Sequence, residues 1–195
     1  MSARTSIDRD AIVNAAVAVI GEGGWSAVSA RSIASRLGAS TMPIYSAIGS
    51  MEELRRSAFT AIAIRLAEAQ RVPRTGNEAL DLAVGYVAFA REEPGLFRFF
   101  LDNQKDIGGA IRAAATDPDA PGSIVKIPQL GEALGSLSEP QRKDDLVLRS
   151  WIFTHGLAQL LADGTLVMDE HEITRHLQDA GGAFYLYERN KEERA

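Results

Sequence analysis

The chain of 195 residues contains no cysteine, which excludes disulfides, thiolate zinc sites and cysteine nucleophiles together. Histidine is scarce, at three residues, and no nucleophile elbow accompanies it, so no catalytic constellation can be assembled. No run approaches the roughly 20 uninterrupted apolar residues of a membrane span. The opening stretch MSARTSIDRD is polar and lacks the apolar core of a secretory signal. Sustained period-two alternation, the mark of half-buried strands, is missing, as are internal repeats and low-complexity tracts. With 46% apolar and 24% charged residues, the composition is that of an ordinary soluble globular protein. One large domain, or a small one grafted on a larger one, is expected, and a cytoplasmic protein is the simplest fit.

Acidic residues are absent from one region in particular. The net charge is −5 overall, yet residues 1–56 hold six arginines against five acids, and Gly23 to Met51 contain two arginines and no acid at all. A segment free of carboxylates can approach phosphates while an acidic body stays away from them. The basic excess is small, so a single copy should bind nucleic acid only modestly.

Residues 29–54, SARSIASRLGASTMPIYSAIGSMEEL, which begin within that acid-free span, are the most informative part of the chain. Ile33, Ala34 and Leu37 recur at helical spacing and run into Gly38, which can end a helix by taking a left-handed backbone. Ser40 and Thr41 are natural caps for a second helix, and Pro43 is tolerated in its first turn. A short helix, a glycine turn and another short helix form the pattern that lays one helix in the major groove of DNA. Ser50-Met-Glu-Glu53 then reads as a capping box opening a long helix.

The rest of the sequence reads as helix almost throughout, and the predicted class is all-α. Asp8 caps a first helix with the stripe Ile12, Ala15, Ala16, Val19 and Ile20. A helix over about residues 77–93 stops before Pro94 and is followed by the aromatic stretch GLFRFFLDNQ. Residues 116–123, TDPDAPGS, read as a loop. Ser138 to Gln141 resemble a second capping box, and Asp169 to Glu172 a third. Ile173, Leu177, Ala180, Phe184 and Tyr187 then make a seam suited to helix–helix packing. Within that seam Gly181 and Gly182 each lower helix stability by about 1 kcal/mol relative to alanine, so either the helix bends there or another backbone comes close.

These residues resemble the TetR family of bacterial transcriptional regulators, with IASRLGAS, Tyr45 and the capped EEL opening in matching order and spacing. Trp151, His155 and Gly156 in WIFTHGLAQLLADG are similar to the Trp-His-Gly subgroup. The resemblance implies a homodimeric repressor on a palindromic double-stranded DNA operator, governed by a small-molecule effector. It implies a helix-turn-helix domain of residues 1–52 and a helical regulatory and dimerisation domain of residues 53–195, with no cofactor. Ser29 and Arg31 would lie near phosphates, Ser40 would head the recognition helix, Thr41, Met42 and Pro43 would face base edges, and Tyr45 would reach a phosphate. Ile48 and Met51 depart from the family pattern, which has Phe and Lys there, and Met51 cannot make a lysine's phosphate contact. No Arg, Asn or Gln stands on the recognition helix to read a base bidentately, so readout is expected to be partly apolar and partly through DNA shape.

Other signals admit two readings. Tyr86, Phe89, Phe97, Phe99, Phe100, Trp151 and Phe153 could line an effector cavity, with Thr154 and His155 as its polar groups, or could simply fill a core. Leu157, Leu161, Leu177, Ala180, Gly181 and Phe184 are expected at a dimer interface. His171 and His176 are five residues apart and so about 140° apart around a helix, which does not suit a zinc-protease pair, and no metal site is expected. The glycines of residues 21–24 follow a helix instead of a strand and read as its end. The rivals to a regulator are a dimeric small-molecule-binding module with weakened or absent operator binding and, last, an all-α enzyme.

Overall fold

The computed structural model describes residues 8–104, 109 and 127–192. Among them the regular structure is entirely helical: α1 (Arg9–Gly23), a 3-10 turn (Trp25–Ala27), α2 (Ala30–Leu37), α3 (Thr41–Ile48), α4 (Met51–Gln70), α5 (Glu78–Glu92), α6 (Pro94–Asn103), α7 (Pro128–Gly135), α8 (Pro140–Ala162) and α9 (Glu170–Glu192). The all-α class is therefore the one adopted, while the loop expected at residues 116–123 lies outside the described residues. Among those described, no helix is long and apolar enough to cross a membrane.

The chain divides into two compact units. The first comprises Met1–Ala67 and Glu93–Asn103, the second Glu68–Glu92 and Gln104–Ala195. The division differs from one at residue 52, because α4 as far as Ala67 and the distant α6 fold with the helix-turn-helix. Long-range packing is the reason. Helix α1 is the hub of the first unit, touching α2, α3 and α6, and its stripe of Ile12, Ala16 and Ile20 is fully buried. The aromatic residues of α6 complete this core: Phe97 is buried, Phe99 lies 5.7 Å from Trp25, and Phe100 stacks on Phe59 at 5.4 Å.

In the second unit α5, α8 and α9 pack on one another, and α7 lies against α5. Gly85 on α5 sits where a Cβ would fall on the carbonyl of Ala69, so this close approach requires glycine. The predicted box at Asp169 forms in both directions, with Glu172 N–H donating to Asp169 at 2.8 Å and Asp169 N–H donating to Glu172 at 3.0 Å. The helix expected to open from Ser138 starts one residue later. Pro140 takes the first helical position, where its missing N–H does no harm, and this puts Glu139, not Ser138, at the cap. At Ser50 one arm of the box is present, Glu53 N–H donating to the serine hydroxyl at 3.1 Å.

Candidate functional site

The tip of the first unit is built by two serine and glycine devices. Ser29 Oγ accepts from Ser32 N–H at 3.0 Å, and Ser32 Oγ accepts in return from Ser29 N–H at 2.9 Å. This reciprocal serine cap was legible at the three-residue spacing and escapes a search for Glu or Gln at the second position. Gly38 then takes φ 62° and ψ 32°, the left-handed geometry that lets α2 stop and α3 begin within three residues. Ser40 occupies the cap position of α3 without a side-chain bond, so the first amides of α3 lack that partner.

Helix α3 is two-faced. Ile44 and Ile48 are buried, so Ile48 fills an apolar site, whereas Thr41, Met42, Tyr45 and Ser46 are exposed. Met42 is 74% and Tyr45 61% exposed, a wasteful placement for such side chains unless something covers them. Ser40 and Arg31 are exposed and Pro43 is half-buried. Ser46 shares this face and was not among the residues expected there; its one-turn spacing from Met42 was the available signal.

The cations of the tip are not equally free. Arg36 makes a two-pronged pair with Glu22, at 2.6 and 2.9 Å. Its hydrogen bonds first, and its charge second, hold the Glu22 carboxyl below the usual range. Arg55 lies over the Trp25 ring at 5.6 Å, whereas Arg56 is exposed. Arg31 makes no ion pair among the described residues.

The second unit contains two features that bear on a ligand. One is a cavity of about 460 Å³ reached by α5, α7, α8 and α9. From α8 come Leu146, Ser150, Phe153 and Thr154; from α9, Leu177, Gln178, Gly181, Gly182 and Phe184. Helix α5 contributes Ala79, Leu80 and Ala83, and α7 contributes Leu130 and Ala133. Thr75 at its edge is fixed by Asp81, whose carboxylate accepts from the threonine N–H and hydroxyl, both at 2.7 Å. Burial alone would raise the Asp81 pKa, but these hydrogen bonds bring it below the ordinary value.

The other feature is a stack. Trp151 lies on His155 with ring centroids 4.8 Å apart, and His155 Nδ1 shares a hydrogen bond with Tyr86 OH at 3.0 Å. Burial raises the Tyr86 pKa and lowers that of His155, so both stay neutral near pH 7. Because the folded pKa of His155 is depressed below about 6.5, the unfolded chain takes up the proton first on acidification. Its contribution to stability is therefore full above about pH 6.5 and is lost as pH falls through the folded value. Thermal melts at stepped pH should show His155→Asn well below the parent at pH 7.5 and closer to it at pH 5. A gap independent of pH would refute this role.

Of the aromatic residues expected around an effector, the structure brings together Tyr86, Trp151 and His155 in this stack, while Thr154 lines the cavity. Phe89 is buried in the second unit, and Phe97 and Phe100 belong to the first. Of the residues expected between subunits, Leu157, Leu161 and Leu177 are buried in the chain's own core, and Ala180, Gly181 and Phe184 are half-buried. Helix α8 instead exposes Leu148, Ile152 and Leu160, and α9 exposes Leu186. Among the described residues, no group of His, Asp or Glu side chains could hold a metal ion.

Residues 12–58 match the family described as bacterial regulatory proteins, tetR family. No curated protein matches the chain. Among solved structures, a protein with unknown function from Rhodococcus sp. RHA1 shares the fold, with 17% sequence identity and a TM-score of 0.58 over 95% of this chain and 97% of that one. The family match supports a DNA-binding transcriptional regulator.

Proposed function

We propose, from the tetR-family match over residues 12–58, that this chain is a cytoplasmic repressor that binds a palindromic operator as a homodimer and leaves it on binding a small effector. The observation that carries the reading is the outward face of α3. Thr41, Met42 and Tyr45 are exposed beside helix-start amides without a side-chain cap, and no carboxylate lies within Gly23 to Met51. Free amides at a helix start suit phosphate oxygens, a threonine or methionine suits thymine methyls, and Tyr45 suits a backbone phosphate. The exposed apolar strip on α8 supports the dimer, and the cavity of the second unit supports the effector. An effector that favours a head spacing away from about 34 Å would release the operator through a coupling of about 1–3 kcal/mol.

Gel retardation on the DNA upstream of the chain's own gene, at two salt concentrations, tests this. Specific retention that weakens with salt is expected, with a shallow slope because Arg36 and Arg55 are engaged within the fold. Arg31→Gln should weaken retention across all sequences and flatten the log–log slope by about two units, one phosphate contact from each head. An unchanged slope would remove Arg31 from the interface. Those same engaged arginines favour the second reading, a dimeric small-molecule-binding module. Its signature is a stable dimer that retards no DNA at low salt.

A further inference from the structure

Gly181 and Gly182 lie inside the uninterrupted helix α9, where glycine weakens a helix, and packing among the described residues does not account for them. At Gly85 and Gly95 an added Cβ would strike neighbouring backbone, but at Gly181 and Gly182 it would meet nothing within 4 Å among the described residues. Both instead line the 460 Å³ cavity. Omitting two side chains there bares a strip of helix backbone, a flat floor on which a ring system can lie. Ala83 and Ala133 enlarge the space on other walls, and Phe153 and Phe184 meet edge to face at 6.2 Å at its margin.

The lining also has a consistent chemistry. Among the described residues it contains no Asp, Glu, Lys, Arg or His. Several of its polar groups are already engaged: Thr154 donates to the Ser150 carbonyl at 2.8 Å, and the Tyr185 and Ser136 hydroxyls share a hydrogen bond at 3.0 Å. The Ser150 hydroxyl and the Gln129 and Gln178 amides make no hydrogen bond among the described residues. These are neutral donors and acceptors. A charged ligand group would find no counter-charge among the described lining residues to offset whatever hydration it gives up, whereas a carbonyl, amide or hydroxyl would be matched. The volume falls within the about 300–1,000 Å³ that small-molecule pockets span.

We infer that this cavity takes an uncharged, ring-bearing amphipathic molecule lying across Gly181 and Gly182, and that anionic ligands such as carboxylates or sulfonates are rejected. The inference rests on the effector-responsive reading of the chain and specifies the class of effector.

Two dyes that differ by a single sulfonate test it: neutral N-phenyl-1-naphthylamine and anionic 8-anilinonaphthalene-1-sulfonate, each titrated by fluorescence against the full chain. The neutral dye should saturate one site per chain and bind at least tenfold more tightly than the sulfonate. Gly181→Leu fills the cavity and should weaken neutral-dye binding at least tenfold while raising the melting temperature and leaving the sedimentation coefficient unchanged. Gly181→Ala, which adds only one methyl, should shift both readouts in the same directions if the leucine variant does not fold. Equal binding of the two dyes overturns the ligand class. A Gly181→Leu chain that binds the dye normally, or that loses its dimer, overturns the role of the glycine floor. Failure of the neutral dye to bind while operator DNA is still retained sinks this inference and leaves the regulator standing. Dye binding of the expected pattern without any effect on operator retention supports the ligand class and removes its regulatory role.

Discussion

Replacing Ile152 and Leu160 together with glutamate should give a chain that sediments as a monomer and binds operator DNA at least 100-fold more weakly. The two side chains are 56% and 42% exposed on α8, and with Leu148, 47% exposed, and Gly156 they form a strip at four-residue steps. Leu186 on the neighbouring α9 is 48% exposed. Burying each such side chain against a second copy contributes roughly 1.5–3 kcal/mol, and four glutamates in the dimer would forfeit that gain and add the desolvation of unpaired charges. The DNA effect follows from connection alone. Each head offers few free cations, and linking two weak contacts raises overall affinity by about 10²–10⁴. Because the strip is exposed in the single chain, the variant should melt near the parent monomer's temperature. Sedimentation velocity decides the matter: a persisting dimer would place the interface elsewhere.

The second large effect concerns folding. Gly95→Val should destabilise the chain by about 3 kcal/mol or more, above the usual 1–3 kcal/mol for overpacking, and lower the melting temperature by roughly 6–12 °C. At Gly95 the start of α6 meets the end of α1 backbone to backbone. A Cβ there would fall on the carbonyl oxygen of Gly21, with the carbonyl carbon 3.0 Å and the Cα 3.1 Å away. No side-chain rotation can relieve such a clash, so the two helices must separate and strip cover from Phe97 and Leu96, both buried. Gly135→Ala is the control, since a Cβ there meets nothing within 4 Å among the described residues and should leave the melt within about 1–2 °C. A Gly95→Val chain that melts with the control would show that this crossing is slack.

The helix-turn-helix was legible because its determinants are local. Gly38, the cap positions and the buried pair Ile44 and Ile48 all act within a few residues of one another. The all-α class was legible for the same reason. The partners of the aromatic run at 97–100 were not, because α6 finds its place against α1, some 80 residues earlier, and no periodicity within either helix records that pairing. The cavity was hidden for a different reason. Its shape depends on Ala83, Ala133, Gly181 and Gly182, that is, on side chains that are small or absent, and a search for aromatic lining passes over them. The cap of α8 falls at Glu139 and not at Ser138 because a capping pattern does not record where a following proline will begin the helix.

The crossing of α1 and α6 also bears on how the protein is made and how it can be re-engineered. A ribosome that has released residues 1–67 has not yet supplied Phe97, Phe99 and Phe100, so the DNA-facing unit cannot complete its core until α5 has passed and α6 has emerged. Chimeras that exchange heads between regulators by cutting after the helix-turn-helix would carry away an unfinished part. A working exchange of this head must bring residues 93–103 with it.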